Sequence, residues 1–163
     1  MRVKASILVA GLGAILVSAC AGSSSTPAAG PAPASTGASQ ASDACSLVAK
    51  ADAEAALGEP AGAPRPRSSA TTSACVYTSL SGAARLDVGI FHYPNLATAT
   101  TEYGRFSNLQ PIAGLGDQAG GNSGSVVVRK GSVLLTISMP VADKQPDPLG
   151  AMKTLAAKLV GRL

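Results

Sequence analysis

Between residues 21 and 43 the chain is almost wholly Ala, Gly, Ser, Thr and Pro, with Gln40 and Asp43 the exceptions. Such a tract has nothing to bury and cannot offset the entropy of ordering its backbone, so it divides the molecule. Its root-mean-square span as a coil is about 25 to 30 Å, with a fully extended reach near ~80 Å, which makes it a tether. Folding is thereby confined to residues 44–163, where Leu, Ile, Val, Met, Phe and Tyr together number 32 of 120. That is enough for one modest core. With no Trp and two Phe, little apolar material is left to line a large cavity, which places a lipid or glycolipid carrier second among the functional readings.

The N-terminus supplies an address. Arg2 and Lys4 precede an apolar run from Ala5 to Val17, and the small residues Ser18 and Ala19 follow. This is the layout of a secretory signal, and about 13 apolar residues fall short of the roughly 20 that a helix needs to cross a bilayer. Cys20 comes next, and Val17-Ser18-Ala19-Cys20 resembles the bacterial lipobox. The resemblance implies that residues 1–19 are removed and that the Cys20 thiol carries diacylglycerol, with its freed amine often acylated as well. A thiolate is the nucleophile such chemistry needs, and two or three acyl chains anchor stably where one does not. The expected location is the extracytoplasmic face of the cell membrane, periplasm or cell surface, with the membrane itself a partner through the lipid.

Setting aside Cys20, the remaining cysteines are Cys45 and Cys75. In an oxidising compartment their default state is a disulfide; free thiols with redox or metal chemistry are the alternative, and the spacing is far from C-x-x-C. Charge excludes more than it suggests. Without Arg2 and Lys4 the chain has 11 basic and 9 acidic side chains, scattered apart from Arg65-Pro66-Arg67 and Arg129-Lys130, so the basic stripe of a nucleic-acid binder is missing.

Periodicity from residue 44 onward predicts an α+β domain. Val48, Ala53, Ala56 and Leu57 recur at helical spacing before the Gly58-Glu59-Pro60 stop, and residues 61–73 read as a loop. Strands are expected over 74–79 and 85–93, with Leu86, Val88 and Ile90 on one face, then a helix capped by Asn95 with Leu96, Ala99, Tyr103 and Phe106 as its apolar stripe. After a turn region at 111–124, residues 125–129 and 132–139 form the clearest hairpin. A final helix opens at Asp147-Pro148 and carries Leu149, Met152, Leu155, Ala156, Leu159, Val160 and Leu163. The order α-β-β-α-β-β-α argues for an antiparallel sheet of about four strands with its helices on one face.

Motifs for chemistry are weak. Gly114-Leu115-Gly116-Asp117-Gln118-Ala119 matches the letters of a dinucleotide fingerprint, but Gly120-Gly121-Asn122 follows where a helix should begin, so a tight glycine turn is expected and no cofactor. In Gly121-Asn122-Ser123-Gly124-Ser125 a serine occupies the last glycine position of a nucleophile elbow. Asp52 and Glu54 stand two apart on a helix and do not face each other, so no metal site is expected. His92, the single histidine, continues the Leu86-Val88-Ile90 face at a strand end and reads as a rim or packing residue; a small hydrolase would have to use it.

Cys45-Ser46-Leu47-Val48, Asp52-Ala53-Glu54-Ala55-Ala56-Leu57-Gly58, Ala74-Cys75-Val76-Tyr77 and the Gly114–Ala119 segment, taken together, resemble the small secreted lipoproteins of a domain-of-unknown-function family common in actinobacteria. Ala49 departs from the pattern, standing where a Ser or Thr is expected to cap the first helix. The resemblance implies an α+β domain, a Cys45–Cys75 disulfide, a structural Gly-Leu-Gly-Asp segment and no established enzymatic activity. The expected function is a non-catalytic binding module of the cell envelope, with no catalytic residue. Its partner would be an envelope protein or a cell-wall ligand; the lipid carrier and the His92 hydrolase are the alternatives.

Overall fold

The computed structural model describes residues 43–143 and 145–163. Val17, Ser18, Ala19 and the lipidation candidate Cys20 lie outside the described residues, as does nearly all of the tether.

Among the described residues eleven elements follow in order: α1 (Ala44–Leu47), α2 (Lys50–Leu57), β1 (Arg65–Ser68), β2 (Thr72–Thr78), β3 (Ala84–His92), α3 (Leu96–Tyr103), β4 (Gln110–Pro111), β5 (Gln118–Asn122), β6 (Ser125–Lys130), β7 (Val133–Ala142) and α4 (Pro148–Val160). The strands make one sheet of seven, ordered β1-β2-β3-β7-β6-β5-β4, and every pairing is antiparallel. The expectation of about four strands is therefore corrected to seven. The three unforeseen strands have identifiable reasons for their silence. β1 is Arg-Pro-Arg-Ser, exposed throughout, so it has no buried face to create an alternating pattern. β4 is two residues long, and β5 is Gln-Ala-Gly-Gly-Asn, whose glycines read as a turn.

Those glycines are required by packing. A Cβ on Gly120 would stand 2.8 Å from Leu109 Cβ and 3.0 Å from Tyr103 Oη, whereas one on Gly121 would stand 3.0 Å from Leu149 Cδ1. Successive strand residues point to opposite faces, so β5 is squeezed between the α3 side and the α4 side. The same observation corrects the expectation of helices on one face only. Leu86, Val88, Ile90, Val126, Val128, Leu135 and Ile137 pack into the main core with residues of α1, α2 and α4. Val127 and Leu134, alternating with these, are buried on the other face, where α3 lies against β6 and β7 with Ala99 fully buried. One short helix cannot cover seven strands, so β1, β2 and β3 keep a partly bare outer face.

Local chemistry sets the ends of the elements. Asp43, Asn95 and Asp147 accept hydrogen bonds from Cys45 N, Thr98 N and Gly150 N and so cap α1, α3 and α4, while Ala49 opens α2 with no side-chain cap. Gly58 closes α2 at φ 74°, a left-handed conformation that glycine adopts without strain. Lys130 Nζ donates to the backbone oxygens of Val160, the last residue of α4, and of Leu163 beyond it, placing a cation at the helix C-terminus. Two further contacts join distant segments: Cys45–Cys75 is a disulfide that ties α1 to β2, and Tyr77 Oη donates to Val48 O at 2.8 Å.

Both edge strands carry a proline, Pro66 in β1 and Pro111 in β4, which removes donors that another chain's strand would need. In the sheet interior β3 pairs with β7, joining the two halves of the domain, and the register shifts between Arg85 and Asp87. The extra residue lies on β7 near Pro140, where a missing N–H is tolerated at a bulge.

Candidate functional site: an aromatic cleft on the outer face of the sheet

The residues singled out in the sequence do not converge. His92 sits half-buried at the end of β3; its backbone N–H donates to Thr71 O, and its Nε2 has no hydrogen-bond partner among the described residues. Asp52 and Glu54 hold different groups. Asp52 pairs with Lys158 at 2.5 Å and Arg162 at 3.8 Å, tying α2 to α4, while Glu54 accepts from Ala61 N at 3.1 Å and pairs with Lys50. Ala61 N–H, and after it Lys50, hold the Glu54 carboxyl below the usual carboxylate range. Among the described residues no group of three or more His, Cys, Asp and Glu is placed to hold a metal ion, and no helix is long and apolar enough to cross a membrane.

The Gly114–Ala119 segment is built as a brace. Gly114 and Gly116 have φ of 73° and 62°, Leu115 is buried in the main core, and Asp117 Oδ2 accepts from Gly131 N at 2.7 Å and Arg129 Nη1 at 3.2 Å. The carboxylate thus pins the β6–β7 turn, and no helix N-terminus is present to receive a phosphate. In the neighbouring Gly121–Ser125 segment, Asn122 Oδ1 accepts from Gly124 N, Ser125 N and Ser125 Oγ, which shapes the β5–β6 hairpin turn.

The described residues also form concavities, two of them of about 270 Å³ each. One lies between α2 and α4 and includes Asp52, Gln145, Asp147 and Lys158. Its polar groups already serve the fold: Asp52 and Lys158 pair, Gln145 Nε2 donates to Ala56 O, and Asp147 caps α4.

The other is lined by Phe91, Tyr93, Glu102, Arg105 and Phe106, on the outer face where α3 ends beside β3. Phe91 reaches it because residue 89 is glycine. A Cβ there would stand 3.0 Å from Phe91 Cε2 and 2.8 Å from Thr136 Oγ1, so the ring leans over a strand position that has no side chain. Tyr93 continues the outward alternation past the end of β3. Glu102 on α3 and its ion-pair partner Arg105 just past the helix end (3.3 Å) stand on the rim. Burial, and then the Glu102 carboxylate, push the Tyr93 hydroxyl above the ordinary tyrosine range against the opposing pull of Arg105. Phe106, expected on the apolar stripe of the second helix, lies past the helix end and is 42% exposed, and Leu96 at the start of that helix is 54% exposed.

The chain has five aromatic residues, and three line this one cleft; Tyr77 lies in the main core and Tyr103 lies against Gly120. The legible signal was the alternation of Phe91 and Tyr93 opposite His92, followed by Phe106 near the end of a short helix. Spacing puts Phe106 in line with Leu96, Ala99 and Tyr103 because spacing alone does not reveal where a helix stops. No protein-family model matches the chain, and no curated protein matches it in sequence.

Proposed function

We propose that this protein is a non-catalytic binding module held at the extracytoplasmic face of the cell membrane by lipid on Cys20, and that the cleft of Phe91, Tyr93 and Phe106 is where it engages its ligand. The lipobox-like segment supports the anchor, and a Cys45–Cys75 disulfide suits an oxidising compartment. One observation carries the binding role. In a chain with five aromatics, three rings gather in an open cleft, where they contribute less to folding than they would in the core and where aromatic side chains anchor recognition. The cleft is partly open to solvent and holds about 270 Å³, which favours surface recognition over enclosure of an acyl chain.

The test is site-specific photocrosslinking on intact cells making the full chain. A photoreactive residue at Phe106 is expected to capture an envelope component, and one at Lys153, exposed on α4, is not. Equal labelling from the two positions, or none from Phe106, would refute the assignment.

A further inference from the structure

Beside the cleft, the outer face of β1, β2 and β3 carries an uncompensated charge. Arg65 and Arg67 alternate outward on β1, both exposed, and among the described residues neither pairs with a carboxylate. Every other arginine on this side of the sheet is matched: Arg85 with Asp87 at 2.9 Å, Arg105 with Glu102, and Arg129 with Asp117. The register relates the unmatched pair to the aromatic rings. Arg67 faces Ala74 across β1–β2, and Ala74 faces Gly89 across β2–β3, the position over which the Phe91 ring leans. With strands about 4.8 Å apart, the guanidinium strand and the ring are separated by roughly 10 Å. Between them the floor is Ala74 and Gly89, so no large side chain stands on the direct path; Thr72 and Val76 border Ala74 on β2, and Asp87, neutralised by Arg85, borders Gly89 on β3.

We infer that this track binds an acidic polysaccharide, with one sugar ring on the Phe91, Tyr93 and Phe106 cleft and a carboxylate of a neighbouring sugar on Arg65 and Arg67. The inference rests on the binding-module reading and names its ligand class. Each part of the ligand meets a matching group. The C–H face of a pyranose stacks on an aromatic ring, the Glu102–Arg105 pair and the Tyr93 hydroxyl offer donors and acceptors to ring hydroxyls, and a guanidinium holds a carboxylate in a bidentate pair. The competing macromolecules fit less well. A peptide adding to the sheet would meet Pro66 in the edge strand, and a nucleic acid needs a continuous basic stripe, whereas this face has one unmatched arginine pair.

The test uses the full lipidated chain in neutral detergent micelles, with oligogalacturonate as the probe. Neutral dextran, polyglutamate and vesicles of anionic phospholipid serve as comparisons. Oligogalacturonate is expected to bind at least tenfold tighter than each of the three. The double variant R65Q/R67Q should weaken it roughly tenfold and flatten its dependence on ionic strength, as loss of two ionic contacts requires. F106A should weaken it by about the same factor while leaving the salt dependence unchanged, because stacking carries no net charge. All three substitutions are at exposed positions, and K153Q is the neutral control. Equal binding of polyglutamate without effect of F106A would overturn the inference in favour of simple charge attraction, and preferential binding to the vesicles would overturn it in favour of a lipid surface. Absence of oligogalacturonate binding, with photocrosslinks still formed from Phe106 in cells, would overturn the ligand class and leave the binding role standing; absence of both would remove the binding role as well.

Discussion

Replacing Gly116 with alanine tests the brace that links the Gly114–Ala119 segment to β6. Gly116 has φ 62°, and a Cβ there would lie 2.6 Å from Arg129 O and 2.6 Å from Val128 Cγ1. Two costs therefore add. Holding alanine in the left-handed region costs about 1–2 kcal/mol, and forcing a methyl group against a strand carbonyl that cannot rotate away costs about 1–3 kcal/mol more. Gly114 provides the internal control: its φ is 73°, but nothing lies within 4 Å of where its Cβ would be, so only the first cost applies. The expected losses are about 2–5 kcal/mol for G116A and about 1–2 kcal/mol for G114A, against a total of roughly 5–15 kcal/mol for a domain of this size. Urea denaturation of the purified chain, with the slope unchanged between variants, measures both; thermal midpoints should fall by roughly 4 °C per kcal/mol. Equal losses from the two alanines would refute the argument, because they would show that backbone conformation alone, without the contact to β6, explains the glycines.

Removing the disulfide with C45A/C75A should cost about 3–4 kcal/mol, since the bridge spans a sequence separation of 30, and a reductant should reproduce that loss in the wild type and not in the variant. The Glu54 carboxyl is held below its ordinary value by Ala61 N–H and Lys50, so the folded form keeps its charge to lower pH than the unfolded form. Its stabilisation is present above the unfolded carboxylate pKa and disappears as pH falls through the folded one. Relative to E54Q, the wild type should therefore lose its advantage in urea midpoint between about pH 5 and pH 3, and a constant difference across that range would contradict the assignment. C20A should leave the urea midpoint unaltered and abolish incorporation of labelled fatty acid; a C20A chain that still incorporates it would contradict the anchor.

How far the fold was legible depended on whether an element has a dry side and a wet side. α4 was readable from Met152, Leu155, Ala156 and Leu159, all buried, and β7 from the alternation of Val133, Leu135, Ile137 and Met139. The caps at Asn95 and Asp147 were readable because side chains bonding to their own backbone are a local matter. β1 and β5 left no such trace: one is exposed on both sides, and the other is so tightly enclosed that two of its five residues are glycine. α1 is a single turn, shorter than the periodicity needed to detect it. For the candidate site, the aromatic residues were visible but their meeting was not. Phe91 and Tyr93 reach the same cleft as Phe106 only because α3 crosses to the outer face and ends there.

Local and compositional information was sufficient to set an α+β class, the bounds of several elements, the likeness of residues 17–20 to a lipidation signal, and Cys45 and Cys75 as the pair available for a disulfide, which the structure then forms. These depend on neighbouring residues or on counting, and neither needs a third dimension. Strand order, the β3–β7 junction, the second covered face and the track from Arg67 to Phe91 depend on segments far apart in the chain coming together. Which long-range pairings win is settled by the packing energy of the whole core and by exclusion of side chains at Gly89, Gly116, Gly120 and Gly121, and that information appears only once the chain has closed on itself.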